Sequence, residues 1–152
     1  MNTVDVAVDD GVEGDGDALA EAAGRALDAA GLTGVELSIL LTDDSHVQAL
    51  NARWRGKDEP TDVLSFPQGE GGVLGDLVLS VDTAARQAAA AGHALDVELR
   101  VLLIHGLCHL LGHDHHDDDE AARMATEELR LLAALGVPAG ARGLVARSGR
   151  AD

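Results

Sequence analysis

The chain opens on an alternation of apolar and polar positions. Thr3-Val-Asp-Val-Ala-Val8 puts every second side chain on one face, the period of a half-buried strand. After an acidic, glycine-bearing turn the period changes. Leu19, Ala22, Ala23, Ala26, Leu27 and Ala30 recur at helical intervals, predicting a helix capped by Asp17 and stopped by Gly31. Val35 to Thr42 is more continuously apolar and reads as a second, more buried strand. Asp43, Asp44 and Ser45 offer caps for a short helix carrying Val47, Leu50 and Trp54, with His46 on its surface.

Gly56 and Pro60 mark a loop, and Val63 to Phe66 form a brief strand. Pro67 ends that strand or places it at a sheet edge, because proline has no N–H for the ladder. Gln68 to Gly72 has the composition of a hairpin turn, and Leu74 to Ser80 is another strand. Ser80 or Asp82 caps an alanine-rich helix closed by Gly92, with His93 at its end. Asp96 caps the next helix, in which Glu98 and Arg100 point away from the apolar stripe. Asp117 to Glu120 begin the last helix, where acids suit the positive end of the helix dipole. Its buried stripe is Met124, Leu129, Leu132 and Leu135, and Gly136 and Pro138 stop it. The order β-α-β-α-β-β-α-α-α lacks strict βαβ alternation. It predicts one α+β domain over residues 1–137, a small mixed sheet with helices packed over it. Strand order does not follow from the pattern. Residues 138–152 have little to bury and carry Arg142, Arg147 and Arg150 without pattern, predicting a disordered tail.

Composition narrows the class. The net charge is −16 and Lys57 is the only lysine, which argues against a general nucleic-acid binder and leaves no expectation of DNA. Much of the acidity sits in two solvated blocks, Asp5 to Asp17 and Asp114 to Glu120, so the placement of the few cations becomes informative. Arg53, Arg55 and Lys57 gather in one stretch; composition alone reads it as an ordinary exposed loop with its arginines paired to neighbouring acids. No apolar run approaches the roughly 18 residues of a membrane span, and no leader pattern is present, so no membrane partner is expected. A single cysteine, Cys108, forms no internal disulfide and suits a reducing cytoplasm; it reads as a small buried hydrophobe.

One stretch carries chemistry: His105-Gly-Leu-Cys-His109-Leu-Leu-Gly112-His113-Asp-His115. Val97 to Ile104 leads into it as an apolar helix, so His105 and His109 lie one above the other on a single face. Gly112 offers the left-handed conformation that ends a helix, and the chain returns within three residues to His115. Three protein nitrogens with one open position is the pattern of a catalytic zinc; a structural zinc is closed by four ligands. The spacing is similar to the ligand frame of metzincin peptidases. Those enzymes carry a glutamate base directly after the first histidine. Gly106 stands there in this chain, so a peptidase reading loses its base. Asp114 reads equally as a residue orienting a ligand imidazole or as a turn residue.

Two motifs coincide. The histidine stretch at 105–115 and Trp-Arg-Gly-Lys-Asp-Glu-Pro-Thr-Asp-Val-Leu-Ser-Phe-Pro at 54–67 together resemble the YbeY family, with Gly75-Asp-Leu-Val78 similar to a third, shorter family motif. The resemblance covers nearly all of residues 35–135. It implies a zinc-dependent, single-strand-specific endoribonuclease acting in ribosomal RNA maturation and ribosome quality control in the cytoplasm. It also implies one Zn2+ per chain, and as partners single-stranded RNA and the ribosome or its assembly proteins. By position, His105, His109 and His115 fall on the family's zinc ligands, and Arg55 on its functionally important arginine, facing the metal cleft. The family's common tyrosine is replaced by His113, and His116 adds a further imidazole outside the family register. In this reading Arg55 holds the scissile phosphate while zinc activates water or the RNA 2′-hydroxyl. Two rival readings are a non-catalytic ribosome-assembly factor with a structural metal and a zinc hydrolase of another class.

Overall fold

The period-two segments assemble into one four-stranded sheet in the computed structural model, which describes residues 1–138, 140 and 141. The strands are β1 (Thr3–Val8), β2 (Glu36–Thr42), β3 (Val63–Glu70) and β4 (Val73–Ser80). They lie in the order β1-β2-β4-β3. β1, β2 and β4 run parallel, and β3 pairs antiparallel with β4 at the edge. The helices are α1 (Gly16–Ala29), α2 (Asp44–Arg55), α3 (Val81–Ala91), α4 (Leu95–Leu110) and α5 (Asp118–Ala134), in the predicted sequence of elements. The mixed α+β class follows as expected. Most of the stretch predicted to be a disordered tail lies outside the described residues.

Alternation sorts the strand side chains between two unequal faces. Leu37, Ile39, Leu41, Val63, Leu77 and Leu79 enter the main core with α1, α4 and α5. Burying a leucine fully contributes about 1.5–3 kcal/mol, so this face carries most of the stabilisation. Leu64, Val78, Leu40 and Phe66 point to the other face, where Val47 of α2 makes a smaller cluster with them. β3 continues through Pro67 to Glu70 rather than ending at the proline. An edge strand tolerates the missing N–H.

α4 is buried all round from Val101 to Leu110, which makes it the central helix and not an amphipathic cover. This overturns one expectation. Glu98 is buried instead of pointing outward, and its carboxylate bonds Nε2 of His93. Burial raises the Glu98 pKa, opposed by His93 and reinforced by Asp62.

Smaller corrections concern caps and stripes. Asp15, not Asp17, caps α1 by accepting from Ala18 N–H. α4 starts after Ala94 without a side-chain cap, leaving Asp96 in its first turn. In α5, Leu129 is exposed, while Met124, Glu128, Leu131 and Leu132 face the core. The charge of Glu128 hid a stripe that runs at three- and four-residue steps.

Candidate metal centre

The last two turns of α4 present His105 and His109, 0% and 1% exposed, on one face. Gly112 adopts φ 94°, and His113 N–H donates to Cys108 O while Gly112 N–H donates to His109 O. This closure satisfies the helix-end carbonyls and turns the chain back. His115 thereby returns to the helix, held by its backbone N–H donating to Asp114 Oδ1 at 2.8 Å. Ligand atoms of His105, His109 and His115 all lie within 4.8 Å of one another, so the three can hold a metal ion. The rings of His105 and His109 are 4.7 Å apart, and those of His109 and His115 5.4 Å.

The hydrogen bonds set the tautomers. His109 Nδ1 lies 3.0 Å from the carbonyl of His113, which only accepts, so Nδ1 carries the proton. Its Nε2 is then a bare lone pair, buried and without a hydrogen-bond partner among the described residues. A buried acceptor left open in this way fits a metal, whose bond to nitrogen is about 2.0–2.1 Å for zinc. Burial, then the neighbouring His105, push the His109 pKa down to about 4 against the pull of the His113 carbonyl and Asp114. The imidazole is therefore neutral at neutral pH, as a ligand must be. His105 Nδ1 lies 3.1 Å from Oε2 of Glu128, itself 1% exposed. The carboxylate accepts, so His105 Nδ1 carries the proton and the ring is oriented as a metal ligand's would be.

The other sequence candidates separate clearly. Asp114 bonds the backbone of His115 and pairs with the exposed His116 through Nε2 at 3.0 Å. Gly106 faces the sheet: a Cβ there would meet Leu77 Cδ2 at 2.8 Å, Val63 Cγ2 at 3.1 Å and Ser65 Oγ at 3.3 Å. Position 106 is thus where α4 presses on β3 and β4, and a glutamate has no room. Cys108 is buried, as read from the sequence. Arg55 is the last residue of α2, next to the 56–62 loop. The structure brings the three histidines together as one group that can hold a metal ion. Glu128 was missed by pattern reading; its one signal was its place in phase with Met124 and Leu132.

The class these features define is a small α+β protein with a three-histidine group able to hold a metal ion at the end of a buried helix. The sequence model of the family described as Endoribonuclease YbeY matches residues 11–136, and the chain belongs to that family. The match begins well before residue 35, so α1 is part of the shared domain. An Aquifex aeolicus Endoribonuclease YbeY is 52% identical over 106 residues, covering 67% of this chain and 71% of that protein. Its Salinispora tropica counterpart is 41% identical over 148 residues, covering 86% and 94%. A longer one from Myxococcus xanthus is 48% identical over 128 residues, covering 80% of this chain and 41% of that protein. A solution structure of a Thermotoga maritima protein shows the same fold, with TM-score 0.59, 24% identity, and coverage of 91% and 95%. Family membership makes the chain an enzyme, a hydrolase of the nuclease class. No helix among the described residues is long and apolar enough to cross a membrane.

Proposed function

We propose that this chain is a zinc-dependent endoribonuclease that cuts single-stranded RNA in the cytoplasm, in late small-subunit ribosomal RNA maturation and ribosome quality control. The observation that carries the metal is the buried, unpartnered Nε2 of His109 beside His105 and His115. Family membership carries the RNA. Zinc bound by three neutral imidazoles supplies Lewis-acid polarisation and lowers the pKa of water toward about 7.

The chain's own residues supply the rest. Nδ1–H of His105 and of His109 are held by Glu128 and the His113 carbonyl, which fixes both rings before substrate arrives. Asp114 holds the return turn of His115. Arg55 binds the scissile phosphate through two parallel hydrogen bonds and stays charged at every working pH. Gly106 contributes no carboxylate, so proton transfer does not run through that position.

The test compares metal content and cleavage of an unstructured RNA by the parent, Arg55→Ala and His109→Ala. The expected result is about one zinc per parent chain. Arg55→Ala keeps the zinc and loses about a hundredfold or more in cleavage; His109→Ala loses both. Folded, zinc-loaded parent that leaves RNA intact would instead support a non-catalytic assembly factor.

A further inference from the structure

The sheet face opposite α4 is only partly covered. α2 packs over β3 and β4 through Val47, and beside it lies an open groove of about 760 Å3. Its walls are apolar: Leu40, Leu50, Trp54, Phe66 and Val78. Trp54 is 56% exposed although it is the largest side chain of the chain. Its ring meets that of Phe66 edge-on, at 6.4 Å between centroids and 76°. Polar groups sit at intervals among these walls, namely Asp5, Ser38, Gln68 and Asp76.

The end of α2 that supplies Trp54 carries unusual charge for so acidic a protein. Arg53 and Arg55 flank Trp54 at the end of α2 and Lys57 lies just beyond it, and among the described residues none of the three forms an ion pair. Arg86 and Arg130 pair with Asp44 and Glu127, whereas Arg25, Arg100 and Arg123 also form no ion pair among the described residues. The Arg53 guanidinium instead lies 5.1 Å from the Trp54 ring centre. Three cations gathered within five residues in a chain of net charge −16 mark a place for an anion.

We propose that this groove is a nucleobase-binding subsite, in which a base of single-stranded RNA stacks on Trp54 beside Phe66. Stacking on an aromatic platform with cations tracking the backbone is how single strands are held without sequence preference. The volume lies within the about 300–1,000 Å3 of small-ligand sites, enough for a nucleoside. Arg53 and Lys57 take the phosphates beside that base, leaving Arg55 for the scissile one, and the Asp76 and Asp5 carboxylates accept from base N–H groups. The acids on the groove floor repel a phosphate and so set the strand's orientation, bases inward.

Groove and histidines are back to back across the sheet edge. Leu110, next to His109, lies against Gly75 on one side of β4, where an added Cβ would come 2.9 Å from Leu110 Cδ2. Phe66 and Asp76 project into the groove on the other. A strand of RNA crossing the exposed edge of β3 has a base in the groove and a downstream phosphate toward the histidines. The subsite rests on the nuclease reading for its ligand class, and its test separates the two.

Trp54 is the only tryptophan, so its emission reports on the groove directly. The full, metal-loaded chain is mixed rapidly with a short oligouridylate, or with an abasic ribose-phosphate oligomer of the same length, and emission is read before products accumulate. Saturable quenching by the oligouridylate and not by the abasic oligomer is expected. Followed by the anisotropy of end-labelled oligomers, Trp54→Ala should weaken oligouridylate binding about tenfold, and Phe66→Leu several-fold, with abasic binding unchanged in both. Equal quenching by both oligomers, or none while cleavage proceeds, overturns the subsite and leaves the nuclease reading intact. Saturable, base-dependent quenching without any cleavage keeps the subsite and sinks the nuclease reading. A Trp54→Ala protein that binds RNA like the parent but no longer associates with small ribosomal subunits overturns the subsite in favour of a protein-docking groove.

Discussion

His105 Nδ1 lies 3.1 Å from Oε2 of Glu128, twenty-three residues later in the chain, and both side chains are fully enclosed. A carboxylate in that position orients the imidazole and raises its basicity toward a metal. Glu128→Gln can still accept from Nδ1 and should weaken zinc affinity by about tenfold. Glu128→Ala leaves a buried donor open and should cost up to about a hundredfold. Competition with a chelator of known affinity measures both, and equal affinity in parent and Glu128→Ala would remove the role.

Gly106 is fixed by the approach of α4 to the sheet. Alanine is the better helix former by about 1 kcal/mol. Its methyl, however, would sit 2.8 Å from Leu77 Cδ2 and 3.1 Å from Val63 Cγ2. Overpacking costs about 1–3 kcal/mol, so the packing term wins and Gly106→Ala should destabilise. Gly106→Glu should cost roughly 4 kcal/mol or more and create no peptidase activity. Urea unfolding and a casein digest read the two outcomes.

Gly75 should tolerate even less. It sits at φ 151°, and an added Cβ would come 2.5 Å from the Phe66 carbonyl, which is backbone and cannot swing away. Gly75→Ala should therefore cost about 2–3 kcal/mol and loosen the β3–β4 hairpin. Urea unfolding measures the cost, and faster hydrogen exchange at Phe66 and Leu77 would locate it.

Acid should unfold the metal-free protein through His109. Its folded pKa is about 4 against an ordinary 6.5, because it is buried beside His105. As pH falls below about 6.5 the unfolded chain gains a proton that the folded chain refuses. The stability from this group is complete above about 6.5 and is lost as pH drops through about 4, at most about 3 kcal/mol in all. Urea midpoints of chelator-treated protein at several pH values test this; His109→Asn should flatten the slope in that window.

The sequence by itself determined the elements and the ligand register. Strand and helix periods are local, and so are Asp43, Ser80 and Asp117 as caps and Gly92 and Gly112 as stops. His105, His109 and His115 could be read as one cluster because helix geometry and a three-residue return join them over a few residues. Tertiary structure decided what depends on distant neighbours. The order β1-β2-β4-β3 is set by which apolar faces meet, which no local period encodes. Glu98 and Glu128 look like surface charges until their partners His93 and His105 enclose them. Trp54 looks like core until the packing of α2 leaves it at the rim of a groove. Gly106 looks like a lost catalytic acid until β3 and β4 are seen to fill its place. In each case burial is a property of the assembled layers, whereas helix and strand formation is a property of the segment.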